Sequence, residues 1–321
     1  MNPAPTNEAQ MAIVEHIARK AIIIIVHIGT VFGVLPSVQA QPTEPLSYAR
    51  ADSIALNWSF DRIASIETLA LGLTSGSTSD DEKFRTLFRW VAHNIAYQFG
   101  ASGKDPLKVL RRKKAVCEGY ASLLQALCQE AAIECVTIQG LAKSMAREHI
   151  DGDQADMRHA WNAVELDGAW HLVDVTWAAG GVDMRTRKFT RAFEAGWFLT
   201  DPAQFALSHW PEDAQWMLGI ERPERKDFIQ APVYYRWYSV KGLRLESPRK
   251  GRIGRHTVIR IRSEAPLSPL SAYVAEADEL LTLPVKTTGD RHTVQLDLPK
   301  DLRGPVIIKM DGEWLFAFNR E

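Results

Sequence analysis

The sequence predicts an α+β fold, in which a core of helices and antiparallel sheet is followed by a small all-β sandwich-like region. Three observations carry the prediction. Apolar residues recur at helical spacing between residues 79 and 131. From His159 the pattern changes to alternation around an Asp167-Gly168 turn, and from Ala231 short strand-like runs recur between turn signals. The expected organisation is a leader over residues 1–40, a core domain over 41–230 and a β-sandwich-like domain over 231–321. A length of 321 residues fits about two domains. With 46% hydrophobic and 24% charged residues the chain can bury a real core.

The leader reads as an address. Arg19-Lys20 precede the apolar run Ala21–Leu35, and Val38-Gln39-Ala40 stand before the polar Gln41. A basic flank, a short apolar stretch and a small-residue exit describe a secretory signal peptide, so the protein is expected to be exported, periplasmic or extracellular. The alternative is a membrane anchor formed by residues 21–35. No other integral membrane segment is expected.

Residues 41–78 are mixed. Ser79 with Glu82 three residues on is a capping box, and Asp80, Asp81 and Glu82 suit the positive helix end. Phe84, Leu87, Phe88, Val91 and Ile95 make this helix bury one stripe. A second helix is expected from Asp105-Pro106 into Arg111-Arg112-Lys113-Lys114. A third presents Tyr120, Leu123, Leu124, Leu127, Cys128 and Ala131 on one face, which puts Cys117 at its first turn. Val136-Thr137-Ile138 read as a strand ended by Gly140, and the polar, Asp-rich residues 143–158 as a surface loop. Residues 189–218 read as aromatic and irregular. Strands are expected at Val233–Val240, Thr257–Arg262, Ser271–Ala275, Thr293–Leu298, Pro305–Met310 and Trp314–Phe318, with a hairpin turn at Asp311-Gly312.

Chemistry enters through the hairpin. A two-residue turn at Asp167-Gly168 pairs Leu166 with Ala169, and continuing that register sets His159 opposite Thr176 and Trp161 opposite Asp174. His159 and Asp174 are then diagonal neighbours on one face, with β-carbons roughly 7–8 Å apart, which an imidazole and a carboxylate can bridge. An Asp within Leu172-Val173-Asp174-Val175 needs a partner, because an unpaired buried carboxylate is expensive. Cys117 is the candidate nucleophile, since a helix N-terminus stabilises a thiolate. In that reading His159 is the base, Asp174 fixes its tautomer, and the Cys117 backbone N–H holds the oxyanion. The basic run 111–114 either lowers the thiol's pKa or is a solvated helix end. Cys128 and Cys135 are expected as buried reduced thiols, with a disulfide between them as the alternative.

Other chemistries find little support. Lys and Arg number 38 against 39 for Asp and Glu, a net charge of −1, so no nucleic-acid partner is expected. The three cysteines form no CxxC pair, and no phosphate-binding glycine loop or calcium loop occurs, so no cofactor or metal is expected. Lys241 to Arg262 hold eight Lys or Arg and one Glu. That stretch is either the solvated face of strands or a contact for an anionic cell-envelope polymer.

Cys117-Glu118-Gly119-Tyr120, His159-Ala160-Trp161-Asn162 and Asp174-Val175-Thr176-Trp177 resemble the three motifs of the transglutaminase-like superfamily, in order. Arg89 to Tyr97 look like the segment that precedes the nucleophile there. Trp197-Phe198-Leu199-Thr200, with Pro202, Phe205, His209 and Pro211, is similar to the kyphoscoliosis-peptidase-like branch. The resemblance covers residues 50–220. It implies a papain-like fold with a Cys117-His159-Asp174 triad acting through an acyl-enzyme on amide bonds. Relatives of this kind include peptidases, cross-linking transglutaminases and non-catalytic binding or scaffolding modules. Peptidase-like hydrolysis of a protein or peptide is the first expectation and the other two are the alternatives. Trp161, Trp177 and Trp197 are candidates to wall a substrate groove, with a core role as the alternative for each. His209 is read as structural, with Trp210-Pro211 beside it as a packed turn.

Overall fold

The computed structural model describes residues 48–58, 65–101, 103–143, 157–183, 186–235, 238–239, 241–274, 279–300 and 304–321. The leader and the expected surface loop, save the loop's ends, lie outside the described residues. Residues 47–321 form one compact unit. Among the described residues no helix is long and apolar enough to cross a membrane.

Two helices the sequence did not announce, α1 (Ala49–Asn57) and α2 (Ile66–Thr74), come first. The first buries only the small Ala51 and Ala55, a weak periodic signal, whereas the second buries Leu69, Ala70, Leu73 and Thr74 on one face. Helix α3 (Asp80–Asn94) starts on Ser79, whose hydroxyl accepts the Glu82 N–H at 3.3 Å. The Glu82 carboxylate reaches back to the Thr78 N–H at 2.8 Å, one residue beyond the usual return arm of a capping box. Strand β1 (Ala96–Tyr97) pairs in parallel with β2 (Lys114–Ala115) across α4 (Pro106–Arg112), which Asp105 caps. Helix α5 (Cys117–Glu130) follows one residue later. The Tyr120 hydroxyl donates to Ile95 O at 2.7 Å and ties α5 to the end of α3.

Strands β3 (Cys135–Ala142), β4 (Arg158–Leu166) and β5 (Ala169–Val173) are antiparallel neighbours. Asp167 and Gly168 have φ of 51° and 78°, a type I′ pattern, and pairing runs from Leu166–Ala169 to Asn162–Val173 in the expected register. There the ladder stops. At Asp174 the chain enters α6 (Val175–Ala179), so Trp161 does not face Asp174, nor His159 Thr176, across a sheet. The cause is local: Asp174 accepts the Trp177 N–H at 2.9 Å and caps a helix.

Strand β3 does not end at Gly140 but passes through it. A Cβ on Gly140 would lie 2.3 Å from Trp210 O and 2.5 Å from the Trp161 ring, so only glycine admits this approach. The hairpin of β6 (Gly180–Asp183) and β7 (Lys188–Arg191), the short helix α7 (Pro202–Phe205) and strand β8 (His209–Pro211) follow. Trp210-Pro211 are thus strand rather than turn. The sheet order is β5-β4-β3-β8.

Helix α8 (Arg225–Gln230) and β9 (Val233–Tyr234) lead into β10 (Arg244–Ser247), β11 (Arg252–Ile253), β12 (His256–Arg262), β13 (Leu270–Val274), β14 (Glu279–Leu283), β15 (Val285–Thr288), β16 (Arg291–Asp297), β17 (Val306–Met310) and β18 (Glu313–Arg320). One sheet runs β10-β12-β16-β15; the other runs β11-β18-β17-β13-β14, with β9 on β18. Ile259, Ile261, Val294 and Leu296 of the first share one apolar cluster with Ala272, Ile308, Phe316 and Phe318 of the second, as a sandwich requires. The expected run Val233–Val240 shortens to Val233–Tyr234, and β10, β11, β14 and β15 add to the expected set. Asp311 and Gly312, at φ of 53° and 83°, form the expected β17–β18 turn. The buried Lys143, just past β3, donates through Nζ to Phe228 O at 3.1 Å, Pro232 O at 3.3 Å and Ala231 O. It ropes the sheet to the segment that enters the sandwich.

Candidate active site

Helix α5 begins with Cys117, and Val116 before it offers no side-chain cap, so the N–H end of the helix is left to the sulfur. Opposite it, β4 brings His159. The His159 Nε2 lies 2.7 Å from Asp174 Oδ2, which leaves Nδ1 as the ring nitrogen for the thiol. The Cys117 thiol lies close enough to the His159 ring for each to shift the other's proton affinity. Of the three residues singled out from the sequence, His159 and Asp174 are in hydrogen-bond contact, and Cys117 lies near enough to raise the His159 pKa. Asp174 arrives by another route than expected, as the helix cap at the end of β5 rather than as a strand neighbour.

Asn162 sets the spacing. Fully buried on β4, it donates through Nδ2 to Ala121 O of α5 at 3.0 Å and to Val136 O of β3 at 3.2 Å. Helix and strand, and so thiol and imidazole, are held by one amide.

The charges balance in pairs. Burial pushes the Cys117 thiol up, but the His159 charge, the His159 hydrogen bond and the Ala160 N–H outweigh it, so the thiol ends below its ordinary value. Burial pulls His159 down, yet Asp174 and Cys117 raise it to about 10. Burial pushes the Asp174 carboxyl up, and two imidazoles reverse this, holding it well below the usual carboxylate range. A thiolate beside an imidazolium is the form these shifts favour. Arg111, Arg112, Lys113 and Lys114 are all exposed, which is the solvated helix end. Cys128 and Cys135 are free and buried, and they contact one another.

The three tryptophans divide. Trp161 is 1% exposed and packs with Ile138, Ala163, Leu172 and Phe205, so it is core and walls no open groove. Trp177 and Trp197 are half-buried, their rings 4.8 Å apart, and Trp177 lies 5.3 Å from the His159 ring.

Two neighbours escaped the sequence reading. The Tyr97 phenol, on β1 beside the strand that leads into Cys117, is pushed up to about 12 by burial and by the nearby thiol. His209, expected to be merely structural, donates to Asp174 Oδ2 at 3.1 Å. The sequence placed His209 only within the Trp197–Pro211 motif; its contact with Asp174, 35 residues away, is set by the fold. His159, Asp174 and His209 present ligand-type atoms within 4.8 Å of one another and are the described residues that could hold a metal ion. An ion bound tetrahedrally at ~2.0 Å from each donor would keep those donors ~3.3 Å apart. The 2.7 Å of His159–Asp174 is instead a hydrogen-bond length.

A family model of the transglutaminase-like superfamily matches residues 67–175. Kyphoscoliosis peptidase of Mus musculus is 35% identical over 213 residues, 63% of this chain and 32% of that protein. Hillarin of Drosophila melanogaster is 28% identical over 196 residues, 56% of this chain and 24% of that protein. The chain thus spans a third or less of the length of these curated relatives. A solved TGase structure shares 15% identity over 58% of this chain and 41% of its own, at a TM-score of 0.28.

Proposed function

Residues 67–175 form a transglutaminase-like domain with similarity to the kyphoscoliosis peptidases; from that premise we propose that the protein is an exported cysteine-nucleophile hydrolase of amide bonds. The observation that carries this reading is an imidazole held by a carboxylate, His159 Nε2 at 2.7 Å from Asp174, beside a thiol whose pKa that imidazole lowers. In the proposed reaction the Cys117 thiolate attacks the amide carbonyl, and backbone N–H groups at the start of α5 take up the developing oxyanion charge. The imidazolium gives its proton to the departing amine as the C–N bond breaks, leaving a thioester. Neutral His159 then takes a proton from water, and the hydroxide released in that step attacks the thioester carbonyl. The carboxylic acid departs and the sulfur is restored. Throughout, Asp174 holds the ring.

Half-buried Trp177 and Trp197 are the proposed walls for a protein or peptide substrate. The Lys241–Arg262 stretch is a proposed contact for an anionic polymer; three of its arginines, Arg244, Arg249 and Arg262, border a cavity with Phe228 and Tyr234. Export rests on the leader at residues 1–40, with anchoring through 21–35 as the alternative, and cell fractionation decides between them.

Alkylation of Cys117 by iodoacetamide across pH tests the site. A midpoint well below the ordinary thiol value of about 8.5 is expected, returning toward it in His159→Ala. An unperturbed midpoint in the parent protein would leave a binding or scaffolding module. A primary amine supplied with an amide substrate then separates hydrolysis from cross-linking: an amine adduct in place of free acid means a transglutaminase.

A further inference from the structure

His209 opens β8 opposite Ala142 of β3 and is fully buried. Its ring stacks on Phe205 at 3.9 Å and meets Trp177 at 4.6 Å, Trp161 at 4.9 Å and Trp197 at 5.6 Å. A phenyl ring would fill such an aromatic box without the cost of burying two ring nitrogens. Both nitrogens are instead engaged. Nε2 lies 3.1 Å from Asp174 Oδ2, the same oxygen that His159 uses, and Nδ1 lies 2.9 Å from the Ser208 hydroxyl. Asp174 Oδ1 is taken by the Trp177 N–H.

We propose that His209 is a positioning residue of this site: as a neutral imidazole it donates Nε2–H to Asp174, holds the carboxylate against His159 and tunes the proton balance of the Cys117–His159 pair. The proposal rests on the cysteine-nucleophile reading above. The protons can be assigned by donor and acceptor count. An ionised carboxylate only accepts, so both imidazoles must carry hydrogen on Nε2. A neutral His209 then has a bare Nδ1, which accepts from Ser208 Oγ–H in preference to the weaker 3.4 Å contact of that hydroxyl with Phe205 O. Hydrogen bonds therefore run from Ser208 to His209 to Asp174, and from His159 to the same oxygen. The titratable groups that face His209 are Asp174 and His159, with Cys117 beyond; Phe205 and the three tryptophans bring no charge. Burial, with His159 beside it, holds His209 down at about 4, so it stays neutral at working pH.

The test uses the full chain. His209→Phe keeps a ring in the box and removes the donor; His209→Gln keeps an N–H at similar reach. Iodoacetamide alkylation of Cys117 is followed against pH. His209→Phe is expected to shift the midpoint by about half a unit or more and to slow the plateau rate about tenfold, the scale on which residues orienting a functional His act. His209→Gln is expected to restore most of both. A folded His209→Phe variant with the parent's profile overturns the proposal, as does a Gln variant no better than Phe. If the Phe variant fails to fold, ¹⁵N spectra of the ring nitrogens in the parent decide: a protonated Nε2 and bare Nδ1 at neutral pH support it, and the opposite tautomer sinks it. Failure of the underlying reading looks different, because the parent itself then titrates as an ordinary thiol and His159→Ala moves nothing.

Discussion

Asn162 touches no reacting atom, yet its amide ties the helix that carries the sulfur to the sheet that carries the ring. Asn162→Ala removes the amide that bridges Ala121 O and Val136 O, with an expected cost of about 1–3 kcal/mol from buried groups left short of partners. A lower urea midpoint at unchanged slope is the measurement, and slower Cys117 alkylation should accompany it. The two histidines give opposite pH dependences. His209, at about 4 when folded against about 6.5 unfolded, contributes stability that is complete above about 6.5 and is lost as pH falls through 4. His159, raised to about 10, contributes stability that is complete below about 6.5 and is lost as pH rises through 10. Denaturation midpoints between pH 7 and 4 should therefore fall more steeply for the parent than for His209→Phe. At this scale the sequence was informative about what had to be charged. Asp174 is legible because an unpaired carboxylate is costly in an apolar run, Cys117 because it opens a helix, and His159 because the hairpin register sets it diagonal to Asp174. His209 is not, since its partner comes from a segment 35 residues away.

At the scale of elements, periodicity succeeded where one face alone is buried. Helices α3 and α5 show their apolar stripes, and the β4–β5 register follows from the Asp167-Gly168 turn. It failed where a single side chain outvotes the pattern. Leu172-Val173-Asp174-Val175 reads as an apolar strand, but Asp174 caps α6 and ends the ladder at Asn162–Val173. Strands β10 and β11 are short and rich in charge, so their propensity is weak. Gly140 reads as a terminator and is in fact a point of close approach. Gly140→Ala is expected to push β8 from β3 and cost about 1–3 kcal/mol, as overpacking does. A lowered melting temperature would report this, and weaker hold on Asp174 should slow alkylation, because β8 carries His209. A neutral substitution would mean that the backbone yields freely at that contact.

For the whole molecule, the basic question is how the sheet of the site and the sandwich are coupled. The separation into residues 41–230 and 231–321 is proposed from the change in sequence pattern, and Lys143 is the buried tie across it. Its Nζ sits among the carbonyls that end α8 and precede β9, and burial pulls its pKa down to about 7. Calorimetry of the parent should show one unfolding transition, and Lys143→Met should divide it in two, the sandwich separating from the helical core. A single transition in the variant would assign the coupling to other contacts. The outer margin of the site sheet has a consequence of a different kind. Strand β8 is three residues long and closes on Pro211, which sits opposite Gly140 and has no N–H to offer. Such a margin is a poor template for recruiting a foreign strand. Among the described residues this border therefore disfavours self-association and the capture of an extended polypeptide by lengthening the sheet.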